Sequence, residues 1–116
     1  MSDILIVDDE RDIRELISDI LEDEGFATRL ASNSDETMAE INTEAPALII
    51  LDIWLKDSRM DGIDILKTVK RDNPDVPVVI ISGHGNIEIA VAAIKQGAYD
   101  FIEKPFSEET ILATLT

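Results

Sequence analysis

Residues 4–9 read ILIVDD. Four aliphatic side chains without a polar break describe a strand buried on both faces, as in a parallel sheet covered by helices. The run closes on two carboxylates, Asp8 and Asp9. The same pattern returns as LIILD at 48–52, VVIIS at 78–82 and FIEK at 101–104, closing on Asp52, Ser82 and Lys104. In an open parallel sheet the carboxyl ends of the strands face one crevice, where ligands bind. Three carboxylates, a hydroxyl and an ammonium from distant segments are therefore expected to converge.

Between these runs the period changes. Ile13, Leu16, Ile17, Ile20 and Leu21 recur at helical spacing, with acids filling the outer face. Gly25 follows as a C-terminal stop. Thr28–Ala31 reads as a weaker, more polar strand at a sheet edge. Further helices are expected over Ser34–Glu44, Ile63–Arg71 and Ile87–Gln96, ended near Pro46, Asn73-Pro74 and Gly97. Ile53–Gly62 reads as a polar loop, and Ser107 as the cap of a last helix. Five β–α units with right-handed crossovers make a doubly wound five-stranded parallel sheet, an α/β fold, the economical topology. Ile111, Leu112 and Leu115 carry the apolar pattern to the last residue, so the final helix reads as truncated, with further chain expected beyond residue 116.

The chain has 116 residues, 45% of them apolar, so one domain, 1–116, with a real core is expected. No run is long enough to span a membrane and no signal peptide precedes the first strand, so a cytoplasmic protein is expected. With no cysteine, disulfides and thiolate metal sites are excluded. The net charge is −15, and residues 1–45 hold 14 acids against 3 bases. Such a surface repels phosphate backbones, so this domain is not expected to bind nucleic acid directly.

Two carboxylates about 5 Å apart, at an effective dielectric near 20, repel by roughly 3 kcal/mol. Three are unfavourable together unless a cation or proton joins them. Oxygen ligands without His or Cys favour a hard ion, and Mg²⁺ takes one or two carboxylates with water and phosphate oxygens. Asp52, held by a metal, can attack phosphorus as a nucleophile. Lys104 would neutralise oxygens of the transferring group, and Ser82 would donate to one of them. Glu10 reads more simply as a capping acid of the first helix.

Asp8-Asp9, Asp52, Ser82 and Lys104-Pro105, each in its strand-end context, resemble the receiver domain of two-component response regulators, the CheY-like family. The resemblance covers the whole chain and implies a flavodoxin-like sheet of strand order 2-1-3-4-5. It implies phosphoryl transfer to Asp52 from a phosphohistidine on a sensor histidine kinase, with Mg²⁺ as cofactor. Asp9, Asp52 and the Trp54 backbone carbonyl would ligate the ion, with Asp8 acting largely through water. The Lys104–Pro105 bond is expected to be cis. Ser82 and Phe101 would form the switch pair, Phe101 turning inward as Ser82 moves toward the phosphoryl group. Trp54 and His84 would border that group, and two rings there imply slow autodephosphorylation; the competing idea is that His84 positions water and speeds the loss.

The run DIWLKDSRMDG at 52–62 departs from the family, with Lys56 where proline is usual and a longer loop. That loop, with SGHGNIEIAV and GAYDFIEKPF, is most like the receivers of NtrC-class sigma-54-dependent activators of the NtrX type. ATPase and DNA-binding output domains beyond this chain are then implied. So are a kinase docking on the first helix near Asp12, Glu15 and Asp19, and a homodimer through the fourth helix, fifth strand and fifth helix. Three other classes compete. A phosphatase with an aspartyl-phosphate intermediate wants a second acid where Trp54 stands. A flavin protein wants a phosphate loop where DDERD stands. A degenerate receiver would lack the acceptor or the lysine.

Overall fold

The computed structural model describes residues 3–53, 62–83 and 87–115. Five strands and five helices alternate: β1 Asp3–Val7, α1 Arg11–Asp23, β2 Ala27–Ala31, α2 Ser34–Thr43, β3 Leu48–Asp52, α3 Gly62–Asp72, β4 Val78–Ser82, α4 Ile87–Lys95, β5 Asp100–Glu103 and α5 Glu108–Ala113. The strands form one sheet in the order β2-β1-β3-β4-β5, every pair parallel. The doubly wound topology expected from the strand runs is the one observed. β2 lies at the edge, which its polar sequence Ala-Thr-Arg-Leu-Ala tolerates.

Successive strand residues point to opposite faces, so each apolar run feeds two cores. Leu5, Val7, Ile49, Leu51, Val78 and Ile80 pack with Ile41 of α2, Ile65 and Leu66 of α3 and Ala93 of α4. Ile4, Ile6, Ile50, Val79, Ile81 and Ile102 pack on the other side with Ile17, Ile20 and Leu21 of α1 and Ile111 of α5. This double burial explains why the strands carry no polar alternation.

Helix ends follow local chemistry. α1 closes in a Schellman turn: the Gly25 N–H bonds the Glu22 carbonyl at 3.0 Å, the Phe26 N–H bonds the Leu21 carbonyl at 3.0 Å, and Gly25 takes a φ of 93°. The same pair of bonds closes α4 at Gly97 and Ala98. Asn33 caps α2, accepting the Glu36 N–H at 2.8 Å, and Ser107 caps α5, accepting the Thr110 N–H at 3.2 Å. The apolar stripe of α1 is narrower than its spacing suggests. Ile17, Ile20 and Leu21 are buried, whereas Leu16 is 48% exposed. The last helix ends at Ala113, although Leu112 and Leu115 still pack against the core. Among the described residues no helix is long and apolar enough to cross a membrane.

Candidate functional site

The carboxyl ends of β1, β3, β4 and β5 meet at one rim of the sheet. Strand register sets which residues meet there: Val7 lies beside Leu51, Asp52 beside Ile81, and Ser82 beside Glu103. The ladder runs on past the strand ends, with the Ile53 N–H on the Ile81 carbonyl at 3.0 Å and the Lys104 N–H on the Ser82 carbonyl at 2.8 Å. Side-chain alternation places Asp8, Asp52 and Lys104 toward the α1–α5 side. Ser82 shares the opposite side with Ile80 and Phe101.

The acidic cluster is real in space. One oxygen from each of Asp8, Asp9 and Asp52 lies within 4.8 Å of the others. Asp8 is fully buried and Asp52 is 4% exposed. The Lys104 ammonium stands 3.7 Å from Asp8 Oδ2 and 3.6 Å from Asp52 Oδ2, bridging the two. Both carboxylates lie well within the field of the amine. Ser82 is buried at the end of β4. The Lys104–Pro105 peptide bond is cis.

Electrostatics follow from that crowding. Burial raises the Asp8 pKa to about 7. The Glu10 N–H opposes this, Asp52 reinforces it, and Lys104 and Asp9 add smaller effects of opposite sign. Lys104 loses some preference for its charge through burial, yet Asp52 and then Asp8 outweigh that and hold its pKa above the ordinary lysine value. Asp8 Oδ1 accepts the Glu10 N–H at 2.8 Å, while the buried Asp8 Oδ2 has no hydrogen-bond partner. An orphaned buried carboxylate oxygen among two further acids suits a hard cation with oxygen ligands.

Glu10 corrects the sequence reading. It holds the N-cap position of α1, but its side chain makes no cap hydrogen bond. The turn is made instead by Asp8, whose carboxylate takes the Glu10 amide in an Asx-type bond, so one residue serves both turn and cluster. The expectations for Trp54 and His84 lie outside the described residues. Phe101 is partly buried against the α2–α4 side core.

Two contributors escaped the sequence reading. Gly62 opens α3 and donates its N–H to the Ile53 carbonyl at 2.9 Å. A Cβ there would meet the Ile53 Cα, and would lie 2.7 Å from the Ile53 oxygen and 2.8 Å from the Asp52 oxygen. Arg14, on α1, donates from Nη1 to the Asp8 carbonyl at 2.7 Å. Beside the cluster, Ile13, Leu16, Lys104, Pro105 and Phe106 line an open groove of about 420 Å³.

A parallel 2-1-3-4-5 sheet with a buried acidic cluster and a lysine at its carboxyl rim defines a doubly wound α/β domain with an anionic crevice. Residues 4–116 match the response regulator receiver domain family. The chain belongs to that family, whose members are phosphoacceptor switches. It is 61% identical over 110 residues to the nitrogen assimilation regulatory protein NtrX of Azorhizobium caulinodans, covering 95% of this chain and 24% of that protein. The chain thus spans about a quarter of the length of that relative. The crystal structure of the NtrX receiver domain from Brucella abortus superposes with a TM-score of 0.95 at 55% identity, covering 97% of this chain and 93% of that one. The beryllofluoride-activated NtrC4 receiver domain dimer superposes with a TM-score of 0.90 at 42% identity, covering 99% of this chain and 93% of that one. The chain is a receiver domain of the NtrX/NtrC type of two-component regulator, which removes the flavin-binding and phosphatase alternatives.

Proposed function

We propose that Asp52 accepts a phosphoryl group from a phosphohistidine of a sensor histidine kinase, and that the acidic cluster holds Mg²⁺ while it does so. The observation that carries this is the triangle of Asp8, Asp52 and Lys104, with the ammonium 3.7 Å and 3.6 Å from the two carboxylates and Asp9 in the same cluster. Asp9, Asp52 and the Trp54 carbonyl would ligate the ion directly and Asp8 through water. Bound Mg²⁺ would supply charge neutralisation for the phosphoryl oxygens and for the crowded carboxylates. Asp52 forms an O–P bond as the donor's P–N bond breaks, and the imidazole leaves. Lys104 takes a phosphoryl oxygen in place of its carboxylate partner, and Ser82 donates its hydroxyl to another. Phe101, on the same face as Ser82, follows it inward as the switch.

The groove between α1 and Pro105-Phe106 opens beside Lys104 and fits an apolar edge of the donor. Asp12, Glu15 and Asp19 of α1 are exposed around it and suit a basic rim. Val91 and Ile94 of α4 and Tyr99 before β5 expose apolar surface, which supports a homodimer through α4, β5 and α5. The domain would work in the cytoplasm as the receiver of a longer regulator with ATPase and DNA-binding outputs. Trp54 and His84 would shield the acyl phosphate from water, so Trp54→Ala and His84→Ala should speed phosphate release; slower release in His84→Ala would sink the shielding.

Acetyl phosphate tests the core of this reading. Intact mass should show one added phosphoryl group with Mg²⁺ and none in EDTA. Asp52→Asn should abolish the addition. Equal phosphorylation of Asp52→Asn would reject the assignment.

A further inference from the structure

We infer that Arg14 is a positioning residue for the acidic pocket: its guanidinium fixes the Asp8 carbonyl, and so sets the Asp8 and Asp9 carboxylates in the arrangement a divalent cation needs. The inference rests on the reading of that pocket as a Mg²⁺ site. Every polar atom of Asp8 but one is committed. Its N–H bonds the Ala31 carbonyl of β2 at 3.2 Å, its Oδ1 takes the Glu10 N–H at 2.8 Å, and its carbonyl takes Arg14 Nη1 at 2.7 Å. Only Oδ2 lacks a hydrogen bond, and it faces Lys104.

These bonds close a ring. The Arg14 N–H bonds the Glu10 carbonyl at 3.1 Å, the Glu10 N–H bonds Asp8, and the Arg14 side chain returns to Asp8. Asp9 sits in the chain between Asp8 and Glu10, so both of its flanking residues are held. The Asp8 carbonyl is where the β1 ladder gives way to α1, and a side chain supplies the donor there. Groups that orient metal ligands in this way matter nearly as much as the ligands.

Arg14 acts on a backbone oxygen, not as a counter-ion of the cluster. Its charge bears on Glu36 at the start of α2, whose carboxylate is held below its usual range by the Ser32 hydroxyl and amide and, more weakly, by Arg14. The distinction gives opposite signs. As a bare charge near a cation site, Arg14 would repel Mg²⁺, and removing it would tighten binding. As an anchor, its removal loosens the pocket and weakens binding.

The test is calorimetric titration of the metal-free protein with MgCl₂ at about 0.15 M ionic strength, where exposed charges are screened beyond ~8 Å. Arg14→Ala should raise the Kd about tenfold, in the range seen for groups that orient metal ligands. Arg14→Lys, which keeps a donor and the charge, should restore most of the affinity. Arg29→Ala is the control. Arg29 joins Asp3 to the Glu40 and Glu44 carbonyls at the opposite end of the sheet. It should lower Tm and leave the Kd unchanged. Arg14→Met keeps the stem of the side chain and removes the donor, so weaker binding in this second variant supports the inference and unaltered binding overturns it. Wild-type or tighter affinity in Arg14→Ala overturns it, as does an equal loss in Arg29→Ala. If the wild-type chain takes up no Mg²⁺, the metal reading itself falls; if it does and Arg14→Ala matches it, only the role of Arg14 falls.

Discussion

Asp8 couples the pocket to pH. Its folded pKa of about 7 lies above the ordinary 3.8 of the unfolded chain, so between those values the folded state holds a proton that the unfolded state has lost. The metal-free protein should therefore gain stability as pH falls through 7, by up to ~1.4 kcal/mol per unit, and lose that gain as pH rises. Urea midpoints in EDTA at about pH 8 and about pH 6 check this. Asp8→Asn should flatten the dependence and stabilise the metal-free protein on the alkaline side; an unchanged slope would contradict it. Mg²⁺ competes with the same proton, so its affinity should fall on acidification. At this scale Asp8, Asp52, Ser82 and Lys104 were legible because each ends an apolar run. The Arg14 bond to a carbonyl was not, since an arginine on an acidic helix face looks like surface charge until β1 and α1 are placed.

Among the elements, α3 approaches the end of β3 so closely that its first residue has no room for a side chain. Gly62→Ala should cost about 1–3 kcal/mol, the range for overpacking, and should slow phosphorylation because the strain falls on the backbone of Asp52. Gly25→Ala is the comparison. It places a side chain at φ 93° in open space, so it should cost ~1 kcal/mol and leave phosphorylation intact. Thermal melts and rate measurements on both variants separate the two effects. The long polar loop after Asp52 hid Gly62 in the sequence, where it read as the loop's last residue. Helix stops at Gly25 and Gly97 were legible from local chemistry alone. The exposure of Leu16 was not, because a helical stripe says which residues share a face but not how wide the neighbour that covers it is. Leu16 stands instead on the lip of the groove between α1 and Lys104, Pro105 and Phe106.

The whole molecule keeps its cluster of like charges by burying two apolar cores on either side of the sheet, so its stability is tied to what joins the carboxylates. Mg²⁺ at a hundred times its dissociation constant should add ~2.7 kcal/mol. Asp9→Ala should abolish that gain and stabilise the metal-free form through relief of repulsion; destabilisation would favour a plain helix-start role for Asp9. The parallel, doubly wound sheet was legible because near-continuous Ile, Val and Leu runs mean burial on both faces; the strand order was implied only by the resemblance of the strand-end residues to a known family. The most direct measurement is chemical: after acetyl phosphate and Mg²⁺, borohydride converts an aspartyl phosphate to homoserine, and peptide mapping finds the position. Homoserine at residue 52, and there alone, is predicted. Homoserine at 8 or 9, or an unmodified 52 in phosphorylated protein, would contradict the account.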